Sequence, residues 1–262
     1  MNIDDFRETI WRHGRDLYRD MPWRQNTNPY YVLVSELMLQ QTQVERVIPK
    51  FAEFIEKFPT AKELAAAPLA DVLTVWSGLG YNRRAKFLHE AVKAIGDTFP
   101  STKEDLLKLP GVGGNTAGAI LAYSFNQPVT FIETNIRTVY FHHFFDDQKQ
   151  VSDKELQKIV EATVDKEHPR EWYWALMDYG SYLKKQGVDR LDKSKHYKKQ
   201  APLKGSVREV RGLMLKALKT GDMTENELQG QLPQDERFHK ALDGLLKDGL
   251  ITRSGRRLHF TR

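Results

Sequence analysis

Two stretches of this chain hold groups that could do chemistry. In Val34-Ser35-Glu36-Leu37-Met38-Leu39 one carboxyl, Glu36, stands among apolar neighbours. Such surroundings disfavour its charged form and raise its pKa. A carboxyl that keeps its proton near neutral pH is suited to acid–base work. The other reading is a glutamate on the outer face of a helix. The second stretch is Leu106-Leu107-Lys108-Leu109-Pro110-Gly111-Val112-Gly113-Gly114-Asn115-Thr116-Ala117-Gly118-Ala119-Ile120-Leu121. Here an apolar helix end meets a glycine-rich loop, which opens into a helix of small residues. Glycines allow a tight turn and close approach of a ligand. The free N–H groups and dipole of a helix N-terminus favour an anion. Gly111, Val112, Gly113, Gly114, Asn115 and Thr116 are therefore a candidate phosphate cradle. An ordinary helix–helix turn is the alternative.

Both stretches need helices to hold them. Pro29 suits the first turn of a helix running through Tyr31, Val34, Leu37, Met38 and Val44, with Pro49 near its end. Breaks at Pro59, Pro68, Gly78-Leu79-Gly80, Pro100, Pro110 and Pro128 divide the front of the chain into further helices. Ser101 with Glu104 predicts a capping box. No long alternating run precedes residue 200, so the fold class is mostly α. Residues 184–204 are polar and basic and read as a linker. Beyond them, Val210, Leu213, Met214, Ala217 and Leu218 form one helical stripe. Thr224 to Leu228 predicts a short capped helix, and Phe238, Ala241, Leu242, Leu245 and Leu246 form a third stripe. Residues 250–253 and 256–260, joined through Ser254-Gly255, predict a hairpin. Three helices and a hairpin resemble a winged helix-turn-helix. In such modules the third helix commonly enters the major groove and the basic wing touches backbone. A protein-contact module is the competing reading.

The chain has 262 residues with 40 Lys plus Arg and 35 Asp plus Glu, a formal net charge of +5. The charge is uneven. Residues 1–180 carry 21 basic and 25 acidic side chains, and residues 181–262 carry 19 and 10. A basic rear segment predicts a polyanionic partner, unless it is only a solvated lysine-rich face. There is no cysteine. That excludes disulfides, thiolate zinc sites and a cysteine nucleophile. No apolar run approaches the roughly 18 residues that a membrane helix needs. The acidic first residues contain no apolar signal core, so a cytoplasmic protein is expected.

A series of motifs then carries a family likeness. Met21-Pro22-Trp23-Arg24 precedes Asn28-Pro29-Tyr30, and Ser35-Glu36-Leu37-Met38-Leu39-Gln40-Gln41-Thr42-Gln43-Val44 follows. Downstream come Val75-Trp76-Ser77-Gly78-Leu79-Gly80-Tyr81, Arg84-Ala85, the loop at 109–114 and Met177-Asp178-Tyr179-Gly180. The series resembles the catalytic core of the A/G-specific adenine DNA glycosylases, the MutY type of the helix-hairpin-helix superfamily, over roughly residues 6–183. The resemblance implies a two-lobed helical domain at 1–183; beyond it the residues' own pattern predicts a basic linker at 184–204 and a small winged-helix-like α+β domain at 205–262. The resemblance also implies a monomer associated with the nucleoid, acting on double-stranded DNA that contains a mismatch or lesion.

By that resemblance Glu36 is the general acid, and Glu133 stands where the family has an aspartate. Protonating the purine improves the leaving group, and a second carboxylate steadies an oxocarbenium-like sugar. Glu133 is one methylene longer than Asp, which predicts a reshaped pocket or a changed base preference. Gln41 is the expected wedge and Tyr81 the expected intercalator. Trp23 and Arg24 shape the base pocket, Asn135 keeps its family position, and Trp174 stands where relatives have Gln or Glu. Bifunctional relatives carry a Schiff-base lysine where this chain has Asn115, so a monofunctional enzyme is expected. Most relatives hold a [4Fe–4S] cluster with four cysteines after Met177-Asp178-Tyr179-Gly180; none is expected here, nor any other cofactor or side-chain metal site. A monovalent cation on the 109–113 backbone fits the resemblance. A glycosylase for another base and a non-catalytic DNA reader are the other hypotheses.

Overall fold

A computed structural model describes residues 1–148, 150–194 and 202–261. The helices run in the order α1 (Ile3–Asp16), α2 (Pro22–Gln25), α3 (Pro29–Leu39), α4 (Val44–Lys57), α5 (Ala61–Ala66), α6 (Leu69–Trp76) and α7 (Arg83–Ile95). There follow α8 (Lys103–Leu106), α9 (Gly114–Tyr123), α10 (Thr134–Phe144), α11 (Asp153–Thr163) and α12 (Pro169–Lys185). The chain ends with α13 (Val207–Leu218), β1 (Met223–Thr224), α14 (Glu225–Gln229), α15 (Glu236–Lys247), β2 (Ile251–Ser254) and β3 (Arg257–Phe260). The fold is mostly helical, as expected. It divides into two compact units, one of residues 1–36, 99–108 and 112–194, the other of 37–98, 109–111 and 202–261.

The first unit is built around α12. Pro169 opens this helix at a position where its missing N–H costs nothing. Phe6 and Ile10 of α1, Tyr140 and Phe141 of α10, and Trp172, Tyr173 and Leu176 of α12 are fully buried together. Phe6 meets the Tyr140 ring at 4.9 Å and the Trp172 ring edge-on at 6.1 Å. Helix α1 starts at Asn2, whose side chain accepts from the Asp5 amide, and α11 starts at a full Ser152/Glu155 capping box. The capping box expected at Ser101/Glu104 does not form; Thr102 caps α8 instead, its side chain accepting from the Asp105 amide. Of the expected linker, residues 184 and 185 end α12, Leu191 and Lys193 are buried, and 195–201 lie outside the described residues.

In the second unit the single helix expected from Pro29 to Pro49 is two. Helix α3 stops at Leu39, α4 begins at Val44, and Pro49 lies inside α4. The cause is Arg84. Its guanidinium takes the carbonyls of Leu37 and Met38 at 2.7 and 2.9 Å and also that of Gln40. A continuing helix would have given those carbonyls to the amides at 41, 42 and 44.

The C-terminal segment has the three expected helices and hairpin. Thr224 and Glu227 form a capping box, and Gly255 (φ +57°) makes the β2–β3 turn. Ile251 pairs with Phe260 and Ser254 with Arg257, and β1 adds a third, unexpected antiparallel strand in the order β1-β3-β2. This segment packs on α6 and α7: the Lys86 amine donates to the Asp248 carbonyl at 2.7 Å, and that of Lys219 to the Thr74 carbonyl at 3.0 Å. No described helix is long and apolar enough to cross a membrane.

Candidate active site

Glu36 and Glu133 meet in the first unit. Glu36 comes from the third turn of α3, and Glu133 is the N-cap residue of α10. The Glu133 side chain does not cap its helix; it hydrogen-bonds the Glu36 carboxyl. A contact between two carboxyls needs one proton between them. Burial pushes the Glu36 carboxyl well above its ordinary range, and the Glu133 charge pushes it further. Burial also raises Glu133, but the bond from Glu36 and the charge of Lys184 pull it back. The proton therefore rests on Glu36 and the negative charge on Glu133. Both residues are half-buried and not sealed in the core.

An aromatic box stands beside the pair. The Trp174 ring stacks on Tyr123 at 6.2 Å and meets Tyr18 edge-on at 6.4 Å. The Arg24 guanidinium lies 5.3 Å from both the Trp174 and the Tyr18 rings. Burial and the Glu133 and Glu36 charges hold the Tyr123 phenol well above its usual range, which keeps it a neutral hydroxyl next to the carboxyls. Arg24 is fixed from behind by Asp178 through two bonds of 2.7 and 2.9 Å. Arg19 joins the same carboxylate at 2.6 Å and adds its backbone amide at 3.1 Å. Trp23 is buried at 7 % exposure, although its neighbour Arg24 faces the box.

Two asparagines hold the segment that presents Glu133. Asn115 donates to the Ile132 carbonyl at 2.9 Å and accepts from the Ile132 amide at 3.3 Å. Asn135 donates to the Met177 carbonyl at 3.2 Å and accepts from the Lys184 amine at 2.8 Å. Their amides are thus occupied in bracing the Glu133 segment. Gly180 belongs to this brace, because a Cβ there would overlap the Asn135 carbonyl and stand 2.8 Å from its Cβ. Gly180→Ala is expected to cost about 2–3 kcal/mol, seen as a lower urea midpoint at unchanged m.

The loop before α9 keeps its expected form. Gly111 has φ +77°, and a Cβ there would strike Phe87 at 2.7 Å. Gly113 and Gly114 face open space, and Gly113 caps α9 without a side chain, so the first amides of that helix point outward. Val112 and Thr116 are buried and anchor the loop.

Gln41 and Tyr81 belong to the second unit. Both have left-handed backbone, φ +56° and +48°, a strained state for side chains of this kind. Arg84 holds both loops. Besides the carbonyls before Gln41, it donates to the Thr42 hydroxyl and the Gly80 carbonyl at 3.0 and 3.1 Å. Burial lowers its pKa to about 10, yet it stays charged at neutral pH. Arg84 and Asp178 stand in motifs quoted from the sequence, but nothing in their spacing gave them a role. Tyr18 and Tyr123 carried no signal, since an aromatic on a helical stripe reads as core.

A family profile described as HhH-GPD superfamily base excision DNA repair protein matches residues 34–165, which span Glu36, the glycine loop and Glu133. The chain belongs to this superfamily. It is 36% identical over 187 residues to the adenine DNA glycosylase of Buchnera aphidicola subsp. Baizongia pistaciae, covering 68% of this chain and 52% of that protein. It is 33% identical over 264 residues to the adenine DNA glycosylase of Mycobacterium tuberculosis (strain H37Rv), covering 90% of this chain and 87% of that protein. The chain thus spans about half the length of one relative and most of the other. Among solved structures, a thermostable thymine-DNA glycosylase superposes with a TM-score of 0.61 at 23% identity, over 68% of this chain and 86% of that one, which shows the shared HhH-GPD fold. This superfamily member has no cysteine, so it cannot ligate an iron–sulfur cluster through thiolates.

Proposed function

We propose that the protein is a monofunctional DNA glycosylase of base excision repair, which flips a mispaired adenine out of a duplex and hydrolyses its N-glycosidic bond. Adenine is the base that the relatives' names give, and 8-oxoguanine or guanine opposite it is the context we take for this chain. The observation that carries the reading is the placement of the Glu36 and Glu133 carboxyls against each other, both residues only half-buried. Glu36 gives its proton to a purine ring nitrogen. The bond from the sugar carbon then breaks, its electron pair leaves with the base, and the Glu133 carboxylate steadies the sugar cation. Water adds to that carbon, and Glu133 takes the released proton. The Trp174, Tyr123 and Arg24 box offers aromatic faces and a cation to a base. Asn115 supplies no amine for a Schiff base, so the strand stays intact until alkali cuts the abasic site.

Single-turnover cleavage of duplexes carrying 8-oxoguanine·A, G·A, G·T, G·U and lesion pairs tests this. Alkali-dependent cutting at A opposite 8-oxoguanine or G is expected. Cutting only at another base would reassign the substrate to the Trp174 box. Duplex binding without cutting would leave a DNA reader.

The rate should also depend on pH in a set direction. Activity requires protonated Glu36, so it falls as pH rises through the raised pKa of that carboxyl. Because the Glu133 charge helps raise it, Glu133→Gln should move the alkaline limb of log k to lower pH, besides slowing the reaction. An unmoved limb would show that Glu36 is not the titrating acid.

A further inference from the structure

The winged-helix pattern points to α15 and the β2–β3 wing as the face that meets nucleic acid, but most of the cations there are paired within the module, Lys247 and Arg256 excepted. Arg237 pairs with Asp235 at 2.6 Å, Lys240 with Glu236 at 2.8 Å and Arg253 with Glu225 at 2.6 Å, and Arg257 donates to the Asp222 carbonyl at 2.9 Å. Exposed Asp243 adds a further negative charge on α15. A polyanion finds little to bind on that side.

The opposite side of the same module differs. Helix α13, the 77–82 loop and the start of α7, all in the second unit, enclose a cleft of about 1000 Å³. Seven of its lining side chains are basic and two are acidic. One of the two acids, Asp248, is paired with Arg211 at 2.5 Å. Lys216 and Lys219 are exposed on α13, and Arg46 is exposed across the cleft. Apolar groups remain uncovered at the rim: Leu203 is 53 % exposed and Leu213 38 %. Arg208 of α13 donates to the Tyr81 hydroxyl at 2.6 Å, and its guanidinium lies 5.1 Å from the Tyr81 ring. Gln41 lines the same cleft. Basic walls around half-buried aromatic rings and exposed apolar side chains suit a strand whose backbone is anionic and whose bases stack.

We propose that this cleft is a docking site for a DNA strand, so that the C-terminal module presents α13 to nucleic acid instead of α15 and the wing, and that Arg208 is the positioning residue that sets Tyr81 for insertion. The proposal rests on the glycosylase reading and gives the C-terminal segment its part in it. Lys216 and Lys219 meet phosphates, while Arg208 holds the strained Tyr81 with its ring edge toward the strand.

The test is equilibrium binding of the full chain to a duplex carrying a tetrahydrofuran abasic analogue opposite 8-oxoguanine, measured across a KCl series. Each lost phosphate contact lowers the slope of log K against log salt by about 0.9. Arg208→Ala/Lys216→Ala/Lys219→Ala should lower it by about 2 and weaken binding at least tenfold at about 0.15 M salt. Lys216→Glu, at an exposed position where folding is not at stake, should weaken binding in the same direction. Arg237→Ala/Lys240→Ala/Arg256→Ala should leave slope and affinity as in the parent. For the positioning role, 2-aminopurine beside the insertion site reports stacking. Its quenching should be reduced by Arg208→Ala and not restored by Arg208→Lys, while the salt slope of both single variants stays close to the parent's. Unchanged binding in both α13 variants, or a drop confined to the α15/wing variant, would overturn the proposal. Parental quenching in Arg208→Ala would remove the role of Arg208. A parent that neither binds this duplex nor releases a base from any pair would fail one step earlier, at the glycosylase reading itself.

Discussion

Glu36→Gln is expected to lower single-turnover base release by about a thousandfold or more while leaving the fold and duplex affinity in place. A positioned general acid is worth roughly 10²–10⁴ in rate. Here the same proton also holds the two carboxyls together. Glutamine keeps the length and shape of the side chain, and its amide can donate to the Glu133 carboxylate, so the pair need not come apart. It has no proton of suitable acidity for a leaving base. A stability signature should accompany the loss. The folded-state pKa of Glu36 lies above its unfolded value, so the folded parent binds the extra proton and loses stability as pH rises through that raised pKa. The variant has nothing to titrate there. Its Tm relative to the parent should therefore climb between acid and alkaline pH, as thermal unfolding at both ends of the range will show. Cleavage within tenfold of the parent would remove Glu36 from the acid role.

Glu36 was legible because a lone carboxyl in an apolar run is unusual and the run sits in a specific motif. The glycine loop was legible for a local reason too: Gly111 needs a left-handed φ and lies against Phe87, a demand written in residue type. The helices were legible as apolar stripes, but their limits were not always so. The break between α3 and α4 depends on Arg84, more than 40 residues downstream, and no periodicity in 29–49 records a guanidinium that takes helix carbonyls. The same limit hid the brace behind Glu133. Asn115 and Asn135 could be noticed, but their partners are a loop residue and the end of α12. Whether Glu133 serves as a helix cap or as a catalytic group depends only on where the side chain points. It occupies the cap position and leaves the capping bond unmade. The charge asymmetry in the rear of the chain was plain, yet which face of the C-terminal segment carries it depends on pairs such as Arg253 with Glu225, 28 residues apart.

Asp178→Ala should be the most destabilising single change around the site, at about 3–5 kcal/mol. Asp178 is buried, and it answers two guanidiniums and one backbone amide. The Arg24 side chain is only 2 % exposed, so without Asp178 its charge stays in a poorly hydrated place with the Arg19 carbonyl, at 3.0 Å, as its remaining bonded acceptor. Arg19, at 29 % side-chain exposure, can turn toward water and loses less. Two comparisons separate the lost charge from lost packing. Asp178→Asn keeps the shape and one good acceptor and should recover part of the loss. Arg24→Met/Asp178→Leu removes both charges and should unfold at a higher temperature than Asp178→Ala alone, because an apolar pair of similar volume carries no desolvation cost. Base release separates the same variants differently. The double variant regains stability but lacks the cation beside Trp174 and Tyr18, so its cleavage should stay low. Stability and activity would then part company within one cycle, which assigns the Asp178 carboxylate to holding Arg24 and Arg24 to the base box. A loss below about 1 kcal/mol in Asp178→Ala would mean instead that Arg24 finds another partner on unpairing, and that the box is softer than its bond lengths imply.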